Sequence, residues 1–531
     1  MKKIIKYILL VPIVFAYSCT GLMDDLNEDS KGVTAEKLTP DGNLSKLRIQ
    51  AMQKNLFNLT TSWQYQVQQN LNADVFAGYT MHPGSFNQTT TNDNYNWNHG
   101  WNGWAFTVAQ ANLTDFLALY EETENATINT DFYACGLILK VLTTLPLVDG
   151  FGPFPYLDYG VGSNPAFDDV EDIYLQGFIP ELNSAIDILN SYKDGPFENR
   201  VANSKADLTN LGGTNSNWVK LANTIKLRLA LRISNVNPSE AEKIIQEALN
   251  EPDGFIDAST GDVTIDVEVN EVFNPFSFIS VAWSDCIMSA DMQSFLVGYK
   301  DPRLASYFLP ATTGTVTGAG AIYAGLRPGA ALTSDKGAYA NYSKIYAGKT
   351  FKIVSAAESY FLLAEASARS LGGLTPGQAE GYYTNGVSTS FAANGVGAEA
   401  GAYLSSTDTP ADYVDYAAAD NNYTATTTVT PEWTGTDMIE KIITQKWIAL
   451  FPNGAEAWAE FRRTGFPRLT LPKNMENGAN FDGTIPQGEF LKRMPYPSNI
   501  IGISPAAANT AISSFLNGND NGYQALWWDV N

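Results

Sequence analysis

Three stretches of this chain repeat one pattern: a run with helical spacing, a short turn and a second helical run. They cover residues 214–254, 354–391 and 437–464. In each, apolar side chains recur three or four positions apart, which is the spacing of one helix face. Paired helices of this length bury their apolar faces by stacking on neighbours, as tetratricopeptide repeats do. Because the intervals between the units are long and unequal, the sequence predicts stacked helix pairs rather than a regular solenoid.

The rest of the chain divides into further helices and loop-rich segments. Helical spacing is present over residues 44–71, 105–122, 131–147 and 170–192. Pro146 is predicted to end the third helix, because proline lacks the backbone N–H that a helix interior needs. Segments rich in Gly, Pro, Thr and Asn cover residues 255–350, 393–436 and 471–531. The first contains strand-like runs at 263–269 and 342–346. No linker divides residues 44–531, so we predict one mostly α-helical domain with a loop-rich lobe.

The charge of the chain restricts its partners. The 531 residues are 44% hydrophobic and 17% charged, as in a globular protein, and carry a net charge of −23. So acidic a body repels the phosphate backbone, which argues against a nucleic-acid partner. The same charge opposes adhesion to anionic lipid, so attachment to a membrane requires an anchor.

The N-terminal residues supply a candidate anchor. Three lysines precede an apolar run from Tyr7 to Tyr17, and Ser18 stands directly before Cys19. This is the pattern of a secretory signal, and the apolar run is too short to span a bilayer. A cysteine at this position resembles a bacterial lipobox, in which the cysteine is acylated. We therefore predict a signal peptide over 1–18, a lipid on Cys19 and an acid-rich tether over 19–43.

The cysteines and histidines of the chain do not predict a metal site. Cys135 and Cys286 have apolar sequence neighbours, which favours buried free thiols, although an oxidising compartment also allows a disulfide. The chain has two histidines and no Cys/His spacing typical of zinc. Asn517, Asn519 and Asn521 copy part of an EF-hand loop but supply no charge. No cofactor or metal is predicted, and a calcium site built from scattered carboxylates stays open.

Aromatic residues in the loops are the candidate ligand contacts. Residues 76–104 contain Tyr95, Trp97, Trp101 and Trp104, interleaved with Asn92, Asn94, Asn96, Asn98 and Asn102. A flat ring stacks on the C–H face of a sugar, and an amide both donates to and accepts from hydroxyls. The tryptophan spacing of four and three equally describes the buried face of a helix that begins near Gly100. Further candidates in other loop segments are Trp283, Tyr323 and Trp433.

Charged residues on the predicted helices favour a structural role. Glu358, Glu365 and Arg369 share one helix face, and the last two have the i,i+4 spacing of an ion pair. Paired carboxylates also hydrolyse glycosides, but no motif here proposes such a pair. Glu456 and the Arg462–Arg463 pair are expected to support helix packing or a surface contact.

Several motifs, taken in order, resemble the SusD/RagB family of nutrient-binding outer-membrane lipoproteins of Bacteroidetes. The lipobox and the acidic run MDDLNED behind it stand first. The other motifs are DGFGPFPY (149–156), WVKLANTIKLRLALRIS (218–234), DPRL (301–304), YAGL (323–326), AAESYFLLAEA (356–366), ITQKWIALFPNGAEAWAEFRRTGFPRL (443–469), RMPYP (493–497) and LWWD (526–529). The resemblance covers nearly the whole chain. The motif sequences are similar to those of a branch of the family other than starch-binding SusD itself, so the resemblance leaves the ligand open.

The resemblance implies a fold and a function. It implies a scaffold of about four tetratricopeptide-like helix pairs. It also implies a protein at the cell surface that binds an oligosaccharide or oligopeptide and is not an enzyme. Such a protein acts as the lid of a SusC-like TonB-dependent transporter in the outer membrane. The alternatives are a surface glycoside hydrolase with paired carboxylates and an adhesive or structural lipoprotein without a small ligand.

Overall fold

The computed structural model describes most of the chain after the tether. It describes residues 42–84, 92–96, 99–162, 165–193, 195, 198–312, 322–332, 336–475 and 484–531. The predicted signal peptide, Cys19 and nearly all of the tether lie outside the described residues. Within the described ranges there are twelve helices of nine residues or more: α1 (Asn43–Asn55), α2 (Trp104–Glu122), α3 (Thr130–Phe151), α4 (Ile179–Ser191), α5 (Asn215–Ile233), α6 (Pro238–Leu249), α7 (Ala290–Gly298), α8 (Ala356–Ala368), α9 (Ala379–Ala393), α10 (Met438–Leu450), α11 (Gly454–Thr464) and α12 (Pro505–Phe515).

Consecutive helices pair as the sequence predicts. The three helix–turn–helix units are α5 with α6, α8 with α9, and α10 with α11, and the two helices of each unit are in contact. A fourth contacting pair is α2 with α3. Helix α4 packs between α3 and α5, α5 contacts α8, and α11 returns to contact α3. The prediction of a mostly helical protein with stacked helix pairs is confirmed; their classification as tetratricopeptide-like stays a prediction.

Helix α3 is the most apolar helix and lies in the interior. It does not end at Pro146, as predicted, but continues to Phe151 with the proline inside it. Packing against helices on several sides stabilises α3 enough to offset the missing hydrogen bond. Among the described residues it is the one helix long and apolar enough to cross a membrane. Because 89% of its most apolar window is buried by the rest of the protein, it is a core helix here.

Two other helix predictions change in detail. The spacing over 44–71 is not one helix: α1 ends at Asn55, and Asn58 adopts a left-handed φ of 48°. A short helix and a wide π-helical turn then follow, Ser62–Tyr65 and Gln66–Asn70. Residues 484–531 are not purely irregular, since they contain α12. The other short helical segments are Ala73–Phe76, Asn92–Asn94, His99–Asn102, Val170–Asp172, Ile173–Phe178, Arg200–Ser204, Ser277–Ala282, Leu304–Tyr307, Lys336–Ala338, Pro376–Gln378, Gly397–Glu399, Ala400–Leu404, Ala419–Asn421 and Ser498–Ile503.

Two small antiparallel sheets organise the loop-rich lobe. Strand β1 (Thr80–Met81) pairs with β3 (Ile287–Met288), and β2 (Val263–Asp266) pairs with β4 (Thr350–Val354). The strand predicted over 263–269 is thus present over its first four residues. The strand predicted over 342–346 is not formed, because Ile345 makes only an isolated bridge to Phe308.

Buried ion pairs join the helix pairs to one another. Arg228 on α5 donates two hydrogen bonds of 2.7 Å to the carboxylate of Glu358 on α8. Arg463 on α11 does the same to Glu365 on α8, again at 2.7 Å. Such two-point contacts between planar groups fix orientation as well as distance. The four side chains are buried, so these contacts define how three helix pairs meet.

The structural interpretation of the charged motif residues is confirmed. The predicted ion pair between Glu365 and Arg369 is present at 2.9 Å, although Glu365 is fully buried and also bound by Arg463. Glu456 accepts from Arg232 of α5 at 2.7 Å, inside the core. Cys135 and Cys286 are buried free thiols, as the apolar sequence neighbours favoured.

Candidate ligand-binding surface

A buried ion pair holds the loop that follows strand β1. Nε2 of His82 lies 3.1 Å from Oδ1 of Asp93. Oδ2 of the same carboxylate accepts a hydrogen bond from the backbone N–H of Gly329 at 2.8 Å. Burial opposes a charge on the imidazole, but the Asp93 carboxylate outweighs this effect and raises the pKa of His82. The loop is thereby joined to residues 322–332 at one point beside the β1–β3 sheet.

The asparagines of this loop stabilise the fold. Nδ2 of Asn92 donates to the carbonyl oxygen of Leu71 at 2.7 Å and to Oδ1 of Asn72 at 2.6 Å. A loop that is buried needs partners for its polar groups, and these amides supply them. The sequence predicted that the amides of this loop contact ligand hydroxyls. In the structure, the buried side chains among them are Asn92, Asn94, Asn96 and Asn102.

Tyr95 is a core side chain rather than an exposed platform. It is 4% exposed, and its ring lies 6.3 Å from that of Phe76. Its hydroxyl accepts a hydrogen bond from the backbone N–H of Leu491 at 3.4 Å. The ring is thus closed off from solvent in this conformation, and we leave Tyr95 out of the candidate surface. Trp97 lies outside the described residues.

Two tryptophans meet at the surface where α2 begins. The ring centroids of Trp63 and Trp104 are 4.8 Å apart, and Trp63 is 44% exposed. Trp104 is half-buried, and its indole N–H finds no acceptor in the described part of the chain. Trp101 is also half-buried, in the short helix just before α2. This helix start therefore lies at the edge of the core, and contact of these tryptophans with a ligand stays a prediction.

A second group of aromatic rings continues the exposed surface. Phe273 and Phe278 have ring centroids 5.4 Å apart, and Phe278 lies 5.8 Å from Trp283. Phe273 is 46% exposed and Trp283 is 40% exposed. The helical turn that carries Trp63 contacts the π-helical turn Ser277–Ala282, which carries Phe278. We call this surface, formed by Trp63, Trp104, Phe273, Phe278 and Trp283, the aromatic face.

Tyr323 and Trp433 are not part of the aromatic face. Tyr323 is half-buried and precedes a segment that runs along the free edge of β3, where the N–H of Leu326 donates to Met288 O at 2.9 Å. Trp433 packs its ring 5.0 Å from that of Tyr383 on α9. Of the predicted ligand contacts that the structure describes, Trp104 and Trp283 belong to the aromatic face.

A large cleft elsewhere in the protein has a different character. A cleft of about 930 Å³ opens between β4, the end of α9 and the turn before α11, and Tyr346 is its one strongly exposed aromatic residue. Its single lining carboxylate, Asp262, lies 3.7 Å from Nζ of Lys352. In the described ranges, no three His, Cys, Asp or Glu side chains are grouped so that they could hold a metal ion.

Comparison with known proteins identifies the family. A family model described as SusD and RagB outer membrane lipoprotein matches residues 25–529. The chain belongs to the SusD-like family. No curated protein matches this SusD-like chain.

Solved structures agree with this assignment. A chitin-binding SusD homologue from Flavobacterium johnsoniae is 34% identical, with a TM-score of 0.82 over 92% of this chain and 99% of that one. A SusD homologue from Bacteroides vulgatus is also 34% identical, with a TM-score of 0.82 and 98% of its chain covered. A SusD-like protein from Bacteroides thetaiotaomicron is 26% identical, with a TM-score of 0.81. The resemblance seen in the motifs is thus confirmed at the level of fold.

Sequence reasoning missed three members of the aromatic face. Trp63 follows the apolar spacing of a helix, which predicts a buried position. Phe273 and Phe278 belong to the run FNPFSFISVAW (273–283), whose density of aromatics beside Asn and Pro was a usable signal. A helical turn with π geometry exposes this run, and no simple period predicts such a turn.

Proposed function

We propose that this SusD-like protein binds an oligosaccharide at the cell surface, with the aromatic face as its platform. The observation that carries the proposal is a row of large exposed rings on a fold shared with a chitin-binding homologue. Monomeric proteins seldom leave such rings in solvent without a binding role. Rings of this kind stack on the apolar face of a pyranose, and nearby polar groups then satisfy its hydroxyls.

Polar side chains border the aromatic face, as sugar recognition requires. Nε2 of Gln66 donates to Oδ2 of Asp285 at 3.4 Å, and Asp285 follows Trp283 by two positions. Asp285 is half-buried, so part of it reaches the surface beside the rings. An oligopeptide ligand is the second candidate, but no described pocket beside these rings favours peptide over sugar, and the chitin-binding homologue favours sugar.

The test measures affinity with matched variants. The mature chain is titrated with a panel of neutral and acidic oligosaccharides and peptides by calorimetry. Trp283→Ala and Trp63→Ala should each weaken binding of the best oligosaccharide by about 10-fold to 100-fold, the scale of an interface hot spot. Phe515→Ala is the control, since Phe515 is 38% exposed on α12, outside the aromatic face. Equal affinities for the parent protein and both tryptophan variants would remove the aromatic face from the proposal.

The proposed activity is binding without bond cleavage. Hydrolysis by two carboxylates needs a pair about 5 to 9.5 Å apart across the glycosidic bond. The large cleft offers one carboxylate, and Lys352 lies beside it. After overnight incubation, chromatography should recover the bound oligosaccharide intact; shorter products would favour the hydrolase alternative.

We further propose that the protein hands its ligand to a SusC-like TonB-dependent barrel, for which it serves as a lid. Membership of the SusD-like family supports this role. A lipid on Cys19, followed by an acidic tether, would hold the protein at the outer membrane within reach of such a barrel.

A further inference from the structure

Arg327 presents a guanidinium whose hydrogen-bonding capacity is mostly unused. Nη1 donates to the backbone carbonyls of Asn421 and Asn422 at 3.3 and 3.5 Å, which are long contacts. Nε is buried and donates to no acceptor within the described ranges. The group stacks over the ring of Tyr423, with 5.3 Å from Cζ to the centroid. The guanidinium thus stacks on Tyr423, and within the described ranges it forms no direct ion pair with a carboxylate.

Lys473 lies beside Arg327 on a neighbouring segment. Its backbone N–H donates to the carbonyl oxygen of Pro328 at 2.9 Å, and its Nζ donates to Oδ1 of Asn421 at 3.1 Å. Arg327 and Lys473 thus reach the same asparagine from two sides. Neither forms an ion pair with a carboxylate in the part of the chain that the structure describes. Both side chains are partly exposed.

Two carboxyl groups near these cations already take part in buried contacts. Asp415 is buried, and it accepts hydrogen bonds from the Tyr342 hydroxyl and the Asn421 amide at 2.5 and 2.6 Å. Asp291 lies behind Tyr423, whose hydroxyl donates to it at 3.3 Å. Burial raises the pKa of Asp291 to about 7, although the charge of Arg327 opposes this rise, so near neutrality Asp291 is only partly ionised. Neither carboxyl group forms a direct ion pair with Arg327 or Lys473 in the described ranges.

A chain of contacts leads from this positive pair toward the segment that carries Trp283. Residue 329, two positions after Arg327, is hydrogen-bonded to Asp93, and Asp93 pairs with His82 at the end of β1. In the β1–β3 sheet Met81 pairs with Ile287, so His82 lies near the segment that carries Trp283. The residues of this sheet are buried, so a ligand that reaches both surfaces has to pass around it.

We propose that Arg327 and Lys473 form a carboxylate subsite, so that the oligosaccharide bound by this protein carries uronic-acid or similar carboxylated units. The inference rests on the proposed glycan-binding function and refines its ligand class. A planar guanidinium binds a carboxylate through two parallel N–H donors, and an adjacent ammonium adds charge without demanding a fixed geometry. A neutral sugar has no carboxylate, so the N–H groups of Arg327 that have no protein acceptor in the described ranges would bind water instead.

The experiment compares acidic oligosaccharides with neutral forms of the same backbone. Oligogalacturonate, alginate, hyaluronan and chondroitin oligosaccharides are each titrated into the mature chain, alongside their carboxyl-reduced counterparts. At least one acidic ligand should bind 10-fold or more tightly than its reduced form, and its affinity should fall as salt is added. Arg327→Gln and Lys473→Met should reduce that affinity to near the level of the reduced ligand, while Arg327→Lys recovers part of it.

The controls separate this inference from the proposed function. Lys243→Met removes an exposed cation on α6, paired with Glu240, and should leave binding unchanged. If only neutral oligosaccharides bind, or if Arg327→Gln and Lys473→Met bind as the parent does, the carboxylate subsite is wrong and the aromatic platform stands. If acidic peptides bind and no oligosaccharide does, both proposals are wrong. Thermal melting of each variant confirms that it is folded, and Lys473→Met provides the test if Arg327→Gln does not fold.

Discussion

At the scale of single residues, exposure separates aromatics that are available to a ligand from those that form the core. Tyr95 and Trp283 both belong to loop-rich segments dense in polar residues, yet one is 4% and the other 40% exposed. Residue type and local sequence composition therefore lead to the same prediction for both residues. The difference arises because residues 92–96 are tied into the core by buried hydrogen bonds, whereas the π-helical turn before Trp283 faces solvent.

Asp291 gives a prediction at this scale about pH. Burial raises its pKa from 3.8 to about 7 in the folded protein, so the folded state holds a proton that the unfolded chain has already lost. Stability should therefore decrease as pH rises from about 4 to 7. Asp291→Asn, which cannot ionise, should melt close to the parent protein at pH 4.5 and a few degrees above it at pH 8.

Calorimetric melting across that pH range checks this prediction. Asp408→Asn is a useful control, because the hydrogen bond from Lys300 lowers the pKa of that exposed carboxyl and the trend should be small and opposite. A difference between Asp291→Asn and the parent that does not vary with pH would show that Asp291 is ionised throughout.

At the scale of helices, the most recognisable sequence motifs lie inside the protein. The residues concerned belong to the runs 218–234, 356–366 and 443–469, and they form the ion pairs between α5, α8, α10 and α11. These motifs therefore identify the family through its scaffold and carry no information about the ligand. Charged groups buried in this way depend on their partners, because an unpaired charge in the interior is costly.

Removal of one side chain from a buried ion pair should destabilise the protein, because the other charge is left without its partner. Burial opposes ionisation of Glu365, but Arg463 outweighs it and keeps the pKa of this carboxyl low, so the pair is charged. Glu365→Ala leaves Arg463 with Glu460 alone and should destabilise the protein by about 3–5 kcal/mol. The loss is measured as a lowered melting temperature and denaturation midpoint.

The matched control lies on the exposed side of the same scaffold. Glu240→Ala on α6 breaks the ion pair with the largely exposed Lys243, and it should cause no measurable change in melting temperature. If Glu365→Ala melts no lower than Glu240→Ala, the buried pairs do not control helix packing.

At the scale of the whole molecule, stacked helix pairs form a rigid scaffold, and loops on that scaffold carry the candidate sites. The N-terminal signal and Cys19 predict that this body is tethered by a lipid, and the family is one of outer membrane lipoproteins. The proposed function would depend on the position of the protein beside a SusC-like barrel as well as on its candidate ligand surface.

Replacement of Cys19 tests the tether. Cells that express Cys19→Ser should lose the protein from the outer-membrane fraction, whereas the parent should co-purify with a SusC-like barrel in mild detergent. Cys135→Ser is the control, because Cys135 is buried and lies more than 100 positions after the predicted signal in the sequence. Retention of Cys19→Ser in the membrane fraction would contradict lipid anchoring at this residue.

The sequence by itself determined the helical scaffold, the order of the helix pairs and the family, and it favoured free thiols at Cys135 and Cys286. It could do so because helical spacing, capping and turn residues are local signals, and because the family motifs can be read along the chain in order. The candidate ligand surface was decided by tertiary structure. Trp63 joins Phe273, Phe278 and Trp283 only when segments about 200 residues apart in sequence are packed together. Arg327 and Lys473 likewise meet at Asn421 only in the folded protein.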